Sequence, residues 1–182
     1  WRVLKPTGTV WLNLGDSYSS QGGAEPEQTV RKSSNYVNRG QLGKDGVGTS
    51  RKAVPGLKPK DLVGIPWKVA FALQADGWYL RQDIIWHKPN PMPESVKDRC
   101  TKSHEYIFLL SKNAHYYFDH ESIKVESSQS TENGKSNKRS VWTVTTKPYS
   151  EAHFATYPHD LIIPCIKAGC PENGTVLDPF GG

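Results

Sequence analysis

The last eight residues, Thr175-Val-Leu-Asp-Pro-Phe-Gly-Gly182, hold the residue order most suggestive of ligand chemistry: an apolar run, an acid, then a glycine turn. A buried strand leading into such a turn lets backbone approach a nucleotide-like ligand at the carboxyl end of a sheet. The same string also makes an ordinary turn. A second group, Asn13, Gly15 and Asp16, ends an apolar run nearer the start. These residues read either as ligand groups at the end of a sheet strand or as a plain turn capped by Asp16. Trp86, His87 and the prolines at 89, 91 and 93 form a third group. An aromatic ring beside a single base supplies stacking; equally, Trp86 suits a core. For His87 a structural or phosphate-contact role is preferred over proton transfer. Lys97, Arg99, Lys102, Lys135, Lys138 and Arg139 are natural phosphate contacts, which set affinity and register without reading sequence. As a charge run they also read as a solvated surface. The three cysteines, Cys100, Cys165 and Cys170, lack C-x-x-C spacing, so they read as reduced thiols and no metal site is expected.

The elements that must position these groups follow from hydrophobic period. Val10 to Leu14 is a short apolar run bounded by glycine, the pattern of a buried strand in an α/β sheet. Residues 17–56 turn to Ser, Gly, Gln, Asn, Lys and Arg with little apolar periodicity, and read as a long loop. Residues 58–76 have Leu62, Ile65, Val69, Ala72 and Leu73 at helical spacing, with Gly77 as the stop. Pro66 interrupts that pattern. The expected solution is a first turn over 59–63 and a main helix opening at Pro66, where a missing N–H costs nothing. Residues 79–86 and 106–110 read as two more strands. The segment 87–103 between them reads as a proline-stiffened basic loop. Residues 113–148 are polar, either an excursion that touches a partner or a plain exposed loop. A helix opens near Pro158 with Leu161, Ile162, Cys165 and Ile166 on one side and Gly169 at its end. Residues 174–178 read as a short buried strand.

Composition narrows the class. A chain of 182 residues suits one core. Mean hydropathy is low at −0.62, yet there are 6 Trp, 8 Tyr and 5 Phe, so the core is expected to be aromatic-rich with long polar loops. A net charge of +5 with a pI near 9.1 favours acidic partners, nucleic acid first among them. No apolar run reaches the length of a membrane span and no charged-then-apolar leader opens the chain, which points to the cytoplasm. The start at Trp1 and the stop inside a glycine turn read as the ends of a fragment or a partial record.

Val176-Leu-Asp-Pro-Phe-Gly-Gly182, preceded by His153-Phe-Ala-Thr-Tyr-Pro158 and a helix, resembles bacterial and phage N4-cytosine and N6-adenine DNA amino-methyltransferases. It is similar to the permuted group whose catalytic motif precedes the cofactor motif. Further likenesses run in family order: residues 4–18, 77–91 and 104–112. The resemblance implies a Rossmann-like class I S-adenosylmethionine-dependent methyltransferase fold, its sheet incomplete here. Residues 1–182 would form a partial methyltransferase domain with polar insertions at about 17–56 and 113–150. It further implies S-adenosylmethionine as cofactor, held by Phe154, Ala155, Thr156, Tyr157, Asp178, Pro179, Phe180 and Gly181. The methionine carboxylate suits the N-terminal end of the helix near Pro158. Asn13, Gly15, Asp16, Trp86 and His87 would surround the target base.

The family's Ser- or Asp-Pro-Pro-Tyr or -Phe segment is absent from these residues and is expected upstream of Trp1, so no residue here inherits the central catalytic role and the chain alone is expected to be inactive. The implied function is site-specific methylation of an exocyclic amine on a base flipped out of double-stranded DNA, cytosine N4 in preference to adenine N6, in a bacterial or phage-infected cell and beside a cognate restriction enzyme. A truncated DNA-binding remnant without turnover, and an RNA or protein methyltransferase on the same fold, are the alternatives.

Overall fold

The computed structural model describes residues 1–19, 54–127, 134–147 and 157–180. Within them the chain forms β1 (Thr9–Leu14), α1 (Ile65–Ala75), β2 (Tyr79–His87), β3 (His104–Ser111), β4 (Val125–Glu126), β5 (Lys135–Ser136), β6 (Val141–Thr143) and α2 (His159–Gly169), with a 3-10 turn at Glu121–Ile123. Two compact units result: a larger one of Trp1–Gly15 with Pro66–Gly182, and a smaller one, Asp16–Ile65.

The larger unit is built on a mixed sheet ordered β1-β3-β2-β6. β3 pairs antiparallel with both β1 and β2, and β6 pairs parallel with β2. Three strands therefore run one way, with β3 alone reversed. The five residues Ile107 to Ser111 of β3 are all buried, as befits a central strand covered on both faces. Its side chains alternate. Phe108 and Leu110 cluster with Ala70 of α1, joined by Trp67, Leu73, Val10 and Leu12. Ile107 clusters instead with Ile84, Trp86 and Trp142 and with Leu161 and Cys165 of α2. The sheet thus has one helix on each face, an α/β arrangement. Aromatic contacts dominate the α1 side, where the Trp67 ring lies 5.0 Å from Phe108 and 5.4 Å from Tyr106.

A β-bulge decides what faces α2. Leu80 pairs with Leu110 but Gln82 pairs with Leu109, so Arg81 is an extra residue in β2. One added residue exchanges the two faces of everything beyond it. Leu80 therefore packs towards α1, whereas Ile84 and Trp86 pack beneath α2.

α1 closes as its sequence predicts. Pro66 is its second residue, and Gly77 beyond its end adopts φ +97°. The Gly77 N–H donates to Gln74 O at 3.1 Å and the Trp78 N–H to Leu73 O at 3.1 Å, a Schellman closure with Trp78 packed into the core. Gly169, ending α2, is required by space: an added Cβ would lie 2.5 Å from Thr9 Oγ1 and 2.6 Å from Trp11 Nε1 of β1.

Four expectations need correction. Leu62 belongs to no helical turn; within the smaller unit it bridges to Tyr18, following a turn in which Lys60 adopts φ 72°. Residues 113–148 contain the β4–β5 pair and β6, which adds to the main sheet and buries Trp142. In α2 the inward residues are Leu161, Cys165 and Ala168, while Ile166 is exposed. Residues 174–178 pair with no described strand, and Val176 and Leu177 are 55% and 69% exposed. β-branched residues favour a sheet surface, but a strand exists only where a neighbour supplies its hydrogen bonds.

Candidate functional site

Because β1, β2 and β6 run the same way, their carboxyl ends gather along one edge of the sheet. That edge, in an open α/β sheet, is where ligands sit. It carries Asn13 near the end of β1 and Gly15 just after it, Trp86 and His87 at the end of β2, and Thr143 at the end of β6. α2 aims its N-terminal end the same way: its last residue, Gly169, lies against Thr9 at the start of β1, while Leu161 in its first turn packs with Trp86 and Trp142.

Individual side chains have defined partners. The Asn13 amide donates to the Tyr106 carbonyl at 2.9 Å, so it braces β1 to β3. Around Gly15 an added Cβ would meet nothing within 4 Å, so open space lies on that side of the backbone. Trp86 is 4% exposed; its Nε1–H donates to Val144 O at 2.8 Å and the Lys88 ammonium stands 4.1 Å over its ring. The core reading of Trp86 is the one its burial matches, and as placed it presents no open face to stack on a base. His87 Nδ1 lies 3.1 Å from Thr143 Oγ1, linking β2 to β6. In the smaller unit, Asp16 Oδ1 accepts the N–H groups of Ser17 at 2.9 Å and of Gly64 and Ile65 at 3.0 Å each. The capping alternative for Asp16 has this geometry.

Of the residues implied as cofactor ligands, Phe154, Ala155, Thr156 and Gly181 lie outside the described residues. The others converge. Tyr157, two residues before α2, donates its phenol O–H to Asp178 Oδ2, while Asp178 Oδ1 accepts the Phe180 N–H at 3.0 Å. Asp178, through this hydrogen bond first and burial second, pushes the Tyr157 phenol up to about 12. The bond joins two segments twenty-one residues apart, and nothing in the string of residues announced it. Phe180 is 84% exposed at the tip of the turn. The first turn of α2 has an acid of its own, Asp160, whose carboxylate is held low by Lys147 Nζ at 2.7 Å. That ion pair offsets a negative charge that would otherwise oppose an anion at the helix end.

The basic candidates divide. Lys97 and Arg139 are exposed. Arg99 is engaged with Glu94 at 2.7 and 3.3 Å, and Glu94 also accepts the Lys102 N–H at 3.1 Å. The Glu94 carboxyl is consequently held below the usual range, by Arg99 first. Lys138 stands 4.9 Å over the Trp142 ring, while Trp142 Nε1–H donates to the Arg139 carbonyl at 2.7 Å. Lys135 lies in β5, exposed. The thiols do not gather: Cys165 is buried, which pushes it up to about 12, and Cys100 is exposed.

A second contact also escaped sequence reasoning. Asn90 and Thr146 form a reciprocal pair, the Asn90 amide donating to Thr146 O at 3.2 Å and the Thr146 N–H to Asn90 Oδ1 at 3.0 Å. It ties the loop leaving β2 to the chain leaving β6.

An α/β sheet whose strand ends and helix end meet at one edge, beside a Tyr157–Asp178 pair, is a class shared by many nucleotide-handling enzymes. The DNA methylase family model matches residues 1–182, and the chain belongs to that family. It is 52% identical over 182 residues to the Type II methyltransferase M.SmaI of Serratia marcescens and 49% identical over 187 residues to M.Cfr9I of Citrobacter freundii. All of this chain is covered in both alignments, and it spans 58% and 56% of those proteins. A more distant relative, M.HinfI of Haemophilus influenzae, is 26% identical over 127 residues, covering 64% of this chain and 34% of that protein.

Proposed function

We propose that the protein containing this chain transfers a methyl group from S-adenosylmethionine to the exocyclic amine of a base flipped out of double-stranded DNA, at cytosine N4 in preference to adenine N6. The reading belongs to the whole protein, since this chain spans only part of its relatives. The observation that carries it is the convergence of the α2 N-terminal end, the Tyr157–Asp178 pair and the carboxyl ends of β1, β2 and β6. We assign the chain to the Rossmann-like class I methyltransferase fold on the same ground.

Tyr157, Asp178, Pro179 and Phe180 would hold the cofactor, together with Phe154, Ala155, Thr156 and Gly181. S-adenosylmethionine supplies an electrophilic methyl on its sulfonium. The N–H groups opening α2 suit its carboxylate, and Asp178 suits its cationic end. Phe180, exposed at the turn, offers an apolar surface to the same ligand. Asn13, Gly15 and His87 would border the flipped base, with Trp86 supporting that wall from beneath rather than stacking on the base. Lys97, Arg99, Lys102, Lys135, Lys138 and Arg139 would serve the phosphates, with Lys97 and Arg139 reaching them most directly. Flipping costs a few kcal/mol, and positioning then does most of the rest. The preference for cytosine N4 rests on the Phe180-Gly181-Gly182 sequence and the proline-rich loop after Trp86. The names of the relatives, Type II methyltransferases, support a cognate nuclease as the functional companion.

The test is to incubate the full-length protein with S-adenosylmethionine and duplex DNA, digest the product and identify the nucleosides by mass spectrometry. N4-methylcytosine is expected. N6-methyladenine would overturn the base preference, and no methylated base, with no cofactor binding by calorimetry, would leave the DNA-binding remnant as the better account.

A further inference from the structure

The loop between β2 and β3 has an unusual construction. Met92, the one methionine of the chain, stands at its outer part and is 86% exposed, between Pro91 and Pro93. Single exposed apolar side chains are common and mean little alone. What distinguishes Met92 is the fastening on both sides. Two residues before it, Asn90 is held by the reciprocal pair with Thr146. Two residues after it, Glu94 gathers Arg99 and the Lys102 N–H into a closed ring. The base of the loop is fixed as well: the Lys88 N–H donates to Ser103 O at 2.8 Å, and Lys88 Nζ pairs with Glu105. Three prolines fix further backbone angles. Most of the ordering entropy of this segment is therefore spent before anything binds. A rigid support that delivers a large apolar side chain into water, on a loop with four cations against two carboxylates, is suited to a polyanion with an apolar interior. Base-paired DNA is such a partner, and apolar side chains, methionine among them, are known to enter between its base steps.

We infer that Met92 is a wedge that enters the base stack beside the target nucleotide and occupies space that the flipped base leaves. The inference rests on the base-flipping reading above and makes Met92 a positioning residue, acting on the DNA rather than on the reacting atoms. A side chain in the vacated space opposes return of the base, so its loss is felt where pairing must be broken and not where pairing is already lost.

The test uses the full-length protein and the duplex on which it places its methyl groups, with two versions of the target base: correctly paired, or opposite an abasic site. Met92→Ala is expected to lower kcat/KM about tenfold on the paired duplex and to return to within about twofold of the parent on the abasic one. Met92→Leu, which keeps an apolar wedge, is expected to stay near the parent on both. S-adenosylmethionine affinity and the unfolding midpoint should not move, since the side chain is exposed. Met92→Ala acting as the parent on both duplexes would overturn the wedge, and so would an equal loss on both. A parent protein that methylates neither duplex would instead remove the reading on which the wedge stands.

Discussion

Replacing Asp16 separates a structural carboxylate from a chemical one. One oxygen of Asp16 accepts three backbone N–H groups, those of Ser17, Gly64 and Ile65, all at 2.9–3.0 Å. A capping side chain contributes about 1 kcal/mol, with a range of about 0.5–2. Three donors share this acceptor and Asp16 is half-buried, so water repairs only part of the loss in Asp16→Ala. The expected destabilisation is about 2 kcal/mol, near the top of that range. Asp16→Asn keeps a carbonyl oxygen in place and gives up only the charge, so it should cost under about 1 kcal/mol. Both variants are made in the full-length protein, followed by thermal unfolding and, in parallel, by methylation of duplex DNA. A capping Asp16 predicts a lower midpoint for alanine, a nearly unchanged one for asparagine, and turnover that tracks the folded fraction. If Asp16→Asn unfolds like the parent yet loses turnover a hundredfold, the charge acts at the reaction as well and the purely structural reading of Asp16 fails. An alanine variant as stable as the parent would refute the magnitude.

The Tyr157 phenol should titrate near 12, and Asp178→Asn should bring it back towards the ordinary value near 10, as followed by tyrosinate absorbance. Its contribution to stability is present below the ordinary value and is lost as pH rises through about 12; an unshifted midpoint in the parent would contradict the pair. The Glu94 carboxyl is depressed by Arg99 and the Lys102 N–H, so the ring it closes should persist as pH falls through the ordinary carboxylate range and open only below it. The Lys102 amide shift reports this, and a midpoint at or above the ordinary value would count against it. Gly169→Ala places a Cβ 2.5 Å from Thr9 Oγ1 and should cost about 1–3 kcal/mol in unfolding free energy, whereas no change would mean that α2 moves freely off β1.

What could be read from the sequence was whatever is settled locally. Helix α1 opened beside Pro66 because proline restricts its own φ and lacks a donor, and it closed at Gly77 because that backbone needs a positive φ. The three long strands announced themselves by apolar runs, and β3, with the longest unbroken one, is interior to the sheet. The misses share a cause, which is that the deciding contact comes from far along the chain. β6 has three residues in polar surroundings and becomes a strand only by pairing with β2; Val141-Trp-Thr-Val144 was the faint signal. Val176 and Leu177 have the same character but no paired neighbour among the described residues. The Arg81 bulge is equally silent in sequence, yet it is what turns Trp86 towards α2 rather than α1. For the site, the edge residues were legible as motif, whereas the pairings Tyr157–Asp178 and Asn90–Thr146 depend on topology.

The Asn90–Thr146 tie joins two stretches with different duties under the proposed function. One displays Met92 and Lys97 outward; the other runs on from β6 towards Lys147, whose ammonium holds Asp160 in the first turn of α2. Nucleic acid pressing on the former and a sulfonium ligand settling at the latter would then pull on a common strap. Thermodynamic reciprocity requires that whatever one contributes to the other's affinity be returned in equal measure. Asn90→Ala, which cuts the strap, should therefore make the two ligands bind more independently while leaving each site's own contacts in place.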